Sequence, residues 1–212
     1  MTDVIAGVEI PDSAVARAAT DLVREAADDL LFHHSRRVFL WGTLKGRRRG
    51  LEVDPELLYV GAMFHDVGLT EKYRTTGRRF EIDGAETART FLLDHGCSEA
   101  DARQVWYAIA LHTTPGVPEH LAPEISLVTL GVETDVLGFD LDQITREEIA
   151  DVTAAHPRPD FKNRILDAFY RGMKHRPNTT FGTMNDDVLA HFDPDFHRED
   201  FVRIIQSNAW PE

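Results

Sequence analysis

Residues 61–70 read GAMFHDVGLT, with a histidine and an aspartate, His65 and Asp66, side by side inside an apolar run. Successive residues on a helix point about 100° apart, so one apolar face cannot hide both side chains. Something has to hold the pair in place together. Upstream, Asp54 is a good N-cap and Pro55 suits the first helical position, so the segment reads as a helix. Leu58, Ala62 and His65 follow i, i+4, i+7, which puts His65 on an apolar stripe. Gly68 is expected to end that helix just past the pair.

Working outward, the pattern is helical nearly throughout and no strand signal of comparable length appears. A first helix follows Pro11-Asp12 and runs to about Leu31, with Val15, Leu22, Ala26 and Leu30 inward; a second carries Phe32 to about Leu44. The run KGRRRG, residues 45–50, reads as an exposed basic loop, and residues 70–82 as a polar one. Asp83 with Glu86 suggests a capping box, and Gly96 a helix end. Ser98 with Asp101 opens the next helix, to about Thr113. Further helices are expected near 123–136, 146–155 (from Thr145 with Glu148), 160–174 and 198–208, with a crossing loop around 175–184. Phe161, Ile165, Phe169 and Met173 form a stripe expected to pack over the bundle, and Phe181, Phe192, Phe196, Phe201 and Trp210 are expected as core or cover.

The His65 stripe has counterparts. His34, Val38 and Trp41 follow i, i+4, i+7, as do Val105, Ile109 and His112; Ile125, Val128, Val132 and Asp135 follow i, i+3, i+7, i+10. Four helices therefore turn a histidine or aspartate inward. One inward histidine is ordinary core chemistry. An inward aspartate is expensive unless a cation or several donors meet it. A metal ion satisfies the carboxylates and the neutral imidazoles at once.

Composition narrows the rest. The 212 residues carry 23 Lys plus Arg against 36 Asp plus Glu, a formal net charge of -13, which argues against nucleic acid as the main partner. A single cysteine, Cys97, excludes an internal disulfide and a cysteine-based zinc knuckle. The start, MTDVIAGVEIPDS, lacks a basic region followed by an apolar run, and no run reaches transmembrane length, so a cytoplasmic protein without a membrane partner is expected. Asn178-Thr179-Thr180 reads as loop chemistry rather than a glycosylation site. A homo-oligomer is compatible with everything read so far.

His34 in HHSRRV, His65-Asp66 in MFHDVG and Asp135 in VETDVLG resemble the four-part signature of the HD superfamily of metal-dependent hydrolases, over roughly residues 30–136. Within it, HHSRRVFLWG, GAMFHDVGLT and RRFEIDGAETARTFL (78–92) resemble the cyanamide hydratase-like group. The resemblance implies an all-α, single-domain helical bundle over residues 1–212, with a metal-site core at about 30–136 and a helical cover at about 145–212. It also implies one divalent ion held by His34, His65, Asp66 and Asp135, with Zn²⁺ first and Fe²⁺ or Mn²⁺ as alternatives. His33 then faces away. Dinuclear relatives usually place a histidine where this chain has Phe80, so one metal is expected rather than two.

Two chemistries follow from such a site. A hydratase adds metal-activated water to a small nitrile-like substrate, with cyanamide giving urea; Asp66 steers the water's proton and His112 delivers one to the developing nitrogen anion. A phosphohydrolase acting on a small phosphomonoester or nucleoside monophosphate needs donors for phosphate oxygens, for which Lys72, Arg74, Arg78 and Arg79 are the local cluster. Lys72, Thr76, Arg79 and Glu81 are accordingly expected as substrate-binding residues. A non-enzymatic helical binding module is the remaining class; a closed all-protein shell points to it and an open coordination position to catalysis. An aromatic-lined narrow pocket favours a small neutral substrate over a nucleotide.

Overall fold

Asp28 separates the first two helices. Its side chain accepts from the Leu31 amide, so α1 (Ala14–Ala26) stops early and α2 (Asp29–Arg48) begins at once, rather than after Leu31. The computed structural model describes residues 3–207 and 209–210. Among them the chain is helical apart from a short antiparallel hairpin, β1 (Val4–Ile5) and β2 (Val8–Glu9), turned by Ala6 and Gly7 at φ 50° and 71°. No described helix is long and apolar enough to cross a membrane.

α2 also runs further than its pattern suggests. Lys45 and Gly46 are buried in it, and Lys45 Nζ donates to the Phe139 carbonyl at 3.0 Å; KGRRRG is therefore the end of a helix, exposed only from Arg47 onward. α3 (Pro55–Phe64) starts as expected, with the Asp54 side chain accepting from the Glu56 and Leu57 amides. It ends at Phe64; His65 caps it, and Asp66 leads into a tight turn at Val67–Leu69.

Gly68 does not stop the helix by adopting a left-handed conformation. A Cβ there would lie 2.0 Å from the Phe80 carbonyl oxygen, so glycine lets the turn after His65-Asp66 press against α4 (Phe80–Asp94). α4 starts before Asp83, and the expected capping box is absent. Asp83 instead accepts from the Thr75 amide and hydroxyl and from Arg176, while Glu86 accepts from Trp106 Nε1. Then come α5 (Glu99–Ala110), capped by Ser98, and α6 (Pro123–Val132), which widens into one π-helical turn over Glu133–Leu137. α7 (Arg146–Ala155) has the Thr145–Glu148 capping box. α8 (Phe161–Met173) is followed by α9 (Asn185–Phe192), a helix the pattern did not suggest, and by α10 (Phe201–Ser207).

Two apolar clusters result. The larger joins α1 to α6; the smaller packs Phe161, Ile165 and Met173 of α8 with Leu189 of α9 onto Leu30, Leu31, Leu69 and Phe80. Arg176, fully buried, locks that cover down: its guanidinium donates to Asp83 at 2.6 Å, to the Gly68 carbonyl at 2.6 Å and to the Thr75 and Arg78 carbonyls. The expected aromatic cover holds for Phe161, whereas Phe181, Phe192, Phe201 and Trp210 are exposed.

Candidate metal centre

Three histidines reach the seam between the two clusters from α2, the end of α3 and the end of α5. Each uses its Nδ1 elsewhere. His65 Nδ1 bonds the Ala62 carbonyl at 2.7 Å, His112 Nδ1 the Ile109 carbonyl at 2.7 Å, and His34 Nδ1 the Asp135 carboxylate at 2.7 Å. Facing only acceptors, each Nδ1 carries the proton, so each Nε2 presents a lone pair. Those lone pairs converge: His34 Nε2 and His65 Nε2 lie 3.1 Å apart, at 3.6 and 3.3 Å from Asp66 Oδ2, and His112 Nε2 lies 3.7 Å from Asp66 Oδ1.

Neither buried oxygen of Asp66 has a hydrogen-bond partner among the described residues. A buried carboxylate surrounded by lone pairs is costly unless a positive charge sits among them. His34, His65 and Asp66 offer ligand atoms all within 4.8 Å of one another. Bonds of about 2.0–2.1 Å to a tetrahedral ion imply ligand separations of about 3.3–3.4 Å, close to those found here. The cluster therefore fits a divalent ion, with coordination positions left over on the cavity side. Titration behaviour agrees. Burial is the largest influence on His65 and lowers it, but the Asp66 carboxylate, the Ala62 carbonyl and Asp135 together outweigh it and the net shift is upward. Burial acts to raise Asp66, and the facing His65, His34 and His112 outweigh it, holding the carboxyl well below the usual carboxylate range. Burial brings His112 down to about 4.

Asp135, expected among the ligands, stands on the other side of the His34 ring. Its oxygens are taken by His34 Nδ1, by Arg37 Nε and Nη2 at 2.8 and 2.9 Å, and by Trp41 Nε1 at 3.0 Å. The Arg37 guanidinium together with the indole and imidazole N–H groups satisfies this aspartate, and it in turn fixes the orientation of His34. Gly131 makes the approach possible, since a Cβ there would lie 2.2 Å from the Val38 carbonyl oxygen of α2. Arg37 lies in the quoted HSRRV run, one turn after His34 on the same face, and sequence reasoning passed it over. His33 turns away, its Nδ1 3.1 Å from His156 Nδ1.

Beside the cluster lies a cavity of about 150 Å³, reached by His34, Asp66, His112, Thr113, Glu133 and Asn185 and otherwise walled by apolar side chains such as Phe169, Val132 and Leu137. The substrate-binding expectations divide here. Lys72 is on the outer surface, paired with Glu25 at 2.9 Å, and Thr76 is exposed; neither lines the cavity. Glu81 is fully buried behind the cavity, where it accepts from Arg79 Nη2 at 2.9 Å, from Thr113 and from Asn185 Nδ2 at 3.1 Å. Arg79 is thus committed to Glu81. Phe80, the residue behind the one-metal expectation, packs edge-on to His112, ring centroids 5.6 Å apart. Asn185 had no sequence signal, because its helix was not legible.

The HD domain matches residues 31–150, more than half of the chain, and the protein belongs to that family, whose members are metal-dependent hydrolases and their relatives. Fold and histidine–aspartate cluster together support metal-dependent hydrolase or hydratase chemistry in general. Two cyanamide hydratases of Saccharomyces cerevisiae, DDI2 and DDI3, are each 24% identical to the chain over 152 residues, spanning 70% of it and 68% of their own length.

Proposed function

We propose that this protein hydrates a small nitrile-like compound, with cyanamide to urea as the first reaction to test. The observation that carries the reading is the cavity. At about 150 Å³ it is well below the roughly 300–1,000 Å³ of sites for drug-sized ligands. No lysine or arginine is among its lining residues. A phosphomonoester needs donors for its oxygens, and the cations nearest in sequence are spent elsewhere. The likeness to the two yeast hydratases supports the same choice.

His34, His65 and Asp66 are proposed to hold one divalent ion, Zn²⁺ first, with Fe²⁺ or Mn²⁺ accepted by the same nitrogen and oxygen donors. Such an ion supplies Lewis acidity and brings the pKa of water into the neutral range. The protein's own groups do the rest. Asp66 orients the attacking water, and its oxygen bonds to the nitrile carbon as a carbon–nitrogen π pair moves onto nitrogen. His112, neutral near pH 7 with Nε2 toward Asp66, takes the proton that the water loses and passes it to that nitrogen. The resulting isourea tautomerises to urea, so atoms and charge balance with no covalent enzyme intermediate.

A side-by-side assay with cyanamide and a panel of nucleoside and sugar monophosphates tests the reading. Urea release without phosphate release, abolished in Asp66→Ala, is expected; metal-dependent phosphate release with no action on cyanamide would replace it with the phosphohydrolase.

A further inference from the structure

The six polar residues lining the cavity share one property. His34 and His112 each donate through Nδ1 to another group and turn Nε2 inward. Asp66 is a carboxylate with both oxygens unpartnered. Thr113 gives its hydroxyl proton to Glu81, and Asn185 gives its amide nitrogen to the same carboxylate, leaving Oδ1 as the free end. Glu133, half-buried on the π-helical turn, accepts no hydrogen bond on its side chain from any described residue; Lys45, the buried cation of α2, is bonded instead to the Phe139 carbonyl and lies 3.5 Å from Asp140. Apart from the second amide hydrogen of Asn185, these groups offer acceptors only.

A wall of acceptors repels an anion and suits a ligand rich in N–H donors. Three of the acceptors, His34, Asp66 and His112, belong to the metal centre. Glu133 and Asn185 do not, and no role in the chemistry proposed above explains them. We propose that Glu133 and Asn185 receive the N–H groups of the cavity's ligand and so make the site select small amino-bearing molecules, neutral or cationic, over anions. Resting on the hydratase reading, this makes the substrate a nitrile with a free amino group at one end. In a cavity this small, an amino group held by Glu133 and Asn185 leaves the rest of such a molecule with Asp66 and His112.

The test uses binding as well as turnover. Acetamidine, a small N–H-rich cation, and inorganic phosphate are titrated calorimetrically into the metal-free full chain. Acetamidine is expected to bind and phosphate not. Losing one hydrogen bond to a charged acceptor should weaken acetamidine about tenfold or more in Glu133→Leu, and Asn185→Ala should weaken it in the same direction. Glu133→Gln keeps an acceptor oxygen but not the charge and guards against a folding defect: its acetamidine affinity should fall between those of the unmodified protein and Glu133→Leu. The KM of Glu133→Leu should rise about tenfold, more than its kcat falls, with metal content unchanged. Phosphate competing with acetamidine, or Glu133→Leu binding acetamidine within about twofold of the unmodified protein, would overturn the proposal. Absence of cyanamide hydration alongside Glu133-dependent acetamidine binding would instead remove the hydratase reading and leave the acceptor site in place.

Discussion

Asp66 and Asp135 are both buried aspartates beside His34, yet their surroundings are opposite. Asp135 is met by an arginine, an indole and an imidazole N–H, whereas Asp66 meets no hydrogen-bond donor. Their substitutions should therefore differ. Asp66→Ala is expected to abolish the gain in thermal stability that added Zn²⁺ gives the unmodified protein, because an ion binding only the folded state stabilises it by mass action. Asp135→Asn leaves the ligand atoms in place but loosens His34, so metal affinity should fall about 10–100-fold rather than vanish; metal titration separates the two outcomes. His112→Ala should slow turnover far more than it lowers metal content if its Nε2 moves protons; equal losses of both would make it a ligand.

Elements are held together here by close backbone approaches and by one buried arginine. Gly131 allows α6 to lie against α2, and Gly68 allows the turn after His65-Asp66 to lie against α4. A methyl group at either position must push backbone aside, so Gly131→Ala and Gly68→Ala are each expected to cost about 1–3 kcal/mol by denaturant unfolding, with metal affinity reduced as well. Arg176→Ala strips four elements of a common donor and leaves the Asp83 carboxylate buried without its main cation. Removing one partner of a buried pair costs about 3–5 kcal/mol, and the α8–α9 cover should loosen first, seen as faster amide exchange there. The helix starts at Asp54, Ser98 and Thr145 were legible because caps act within a few residues. Asp83 misled for the same reason: a good cap residue by type, it is consumed by Arg176, 93 positions away.

Across the whole molecule, acid sensitivity is expected from His156, a buried histidine outside the metal cluster. Burial, with Arg36, His33 and Arg37 adding to it, brings His156 down to about 3. The unfolded chain titrates it near pH 6.5. Between those values the unfolded state binds more protons, so the stability His156 contributes is present above about pH 6.5 and is lost as the pH falls toward 3. In His156→Gln, stability between pH 6.5 and 3 should fall less steeply, by up to roughly 1 kcal/mol per pH unit; an unchanged slope would exclude His156 as the titrating group.

Local rules and family pattern determined the helical class, most helix starts, the inward histidines and the adjacent His65-Asp66 pair. Each of these depends on side-chain periodicity or on bonds within one turn. Tertiary structure alone decided which inward groups meet and what each one finds. His34 and Asp135 touch across 101 positions, with the Arg37 guanidinium and two neutral donors saturating the aspartate. Asn185 reaches Glu81 across 104 positions from a helix with weak periodic signal. Lys72 and Thr76, close in sequence to the site, face outward. Sequence spacing encodes which face a residue occupies; the partner across that face follows from how whole helices pack, and at a buried polar site the partner decides the chemistry.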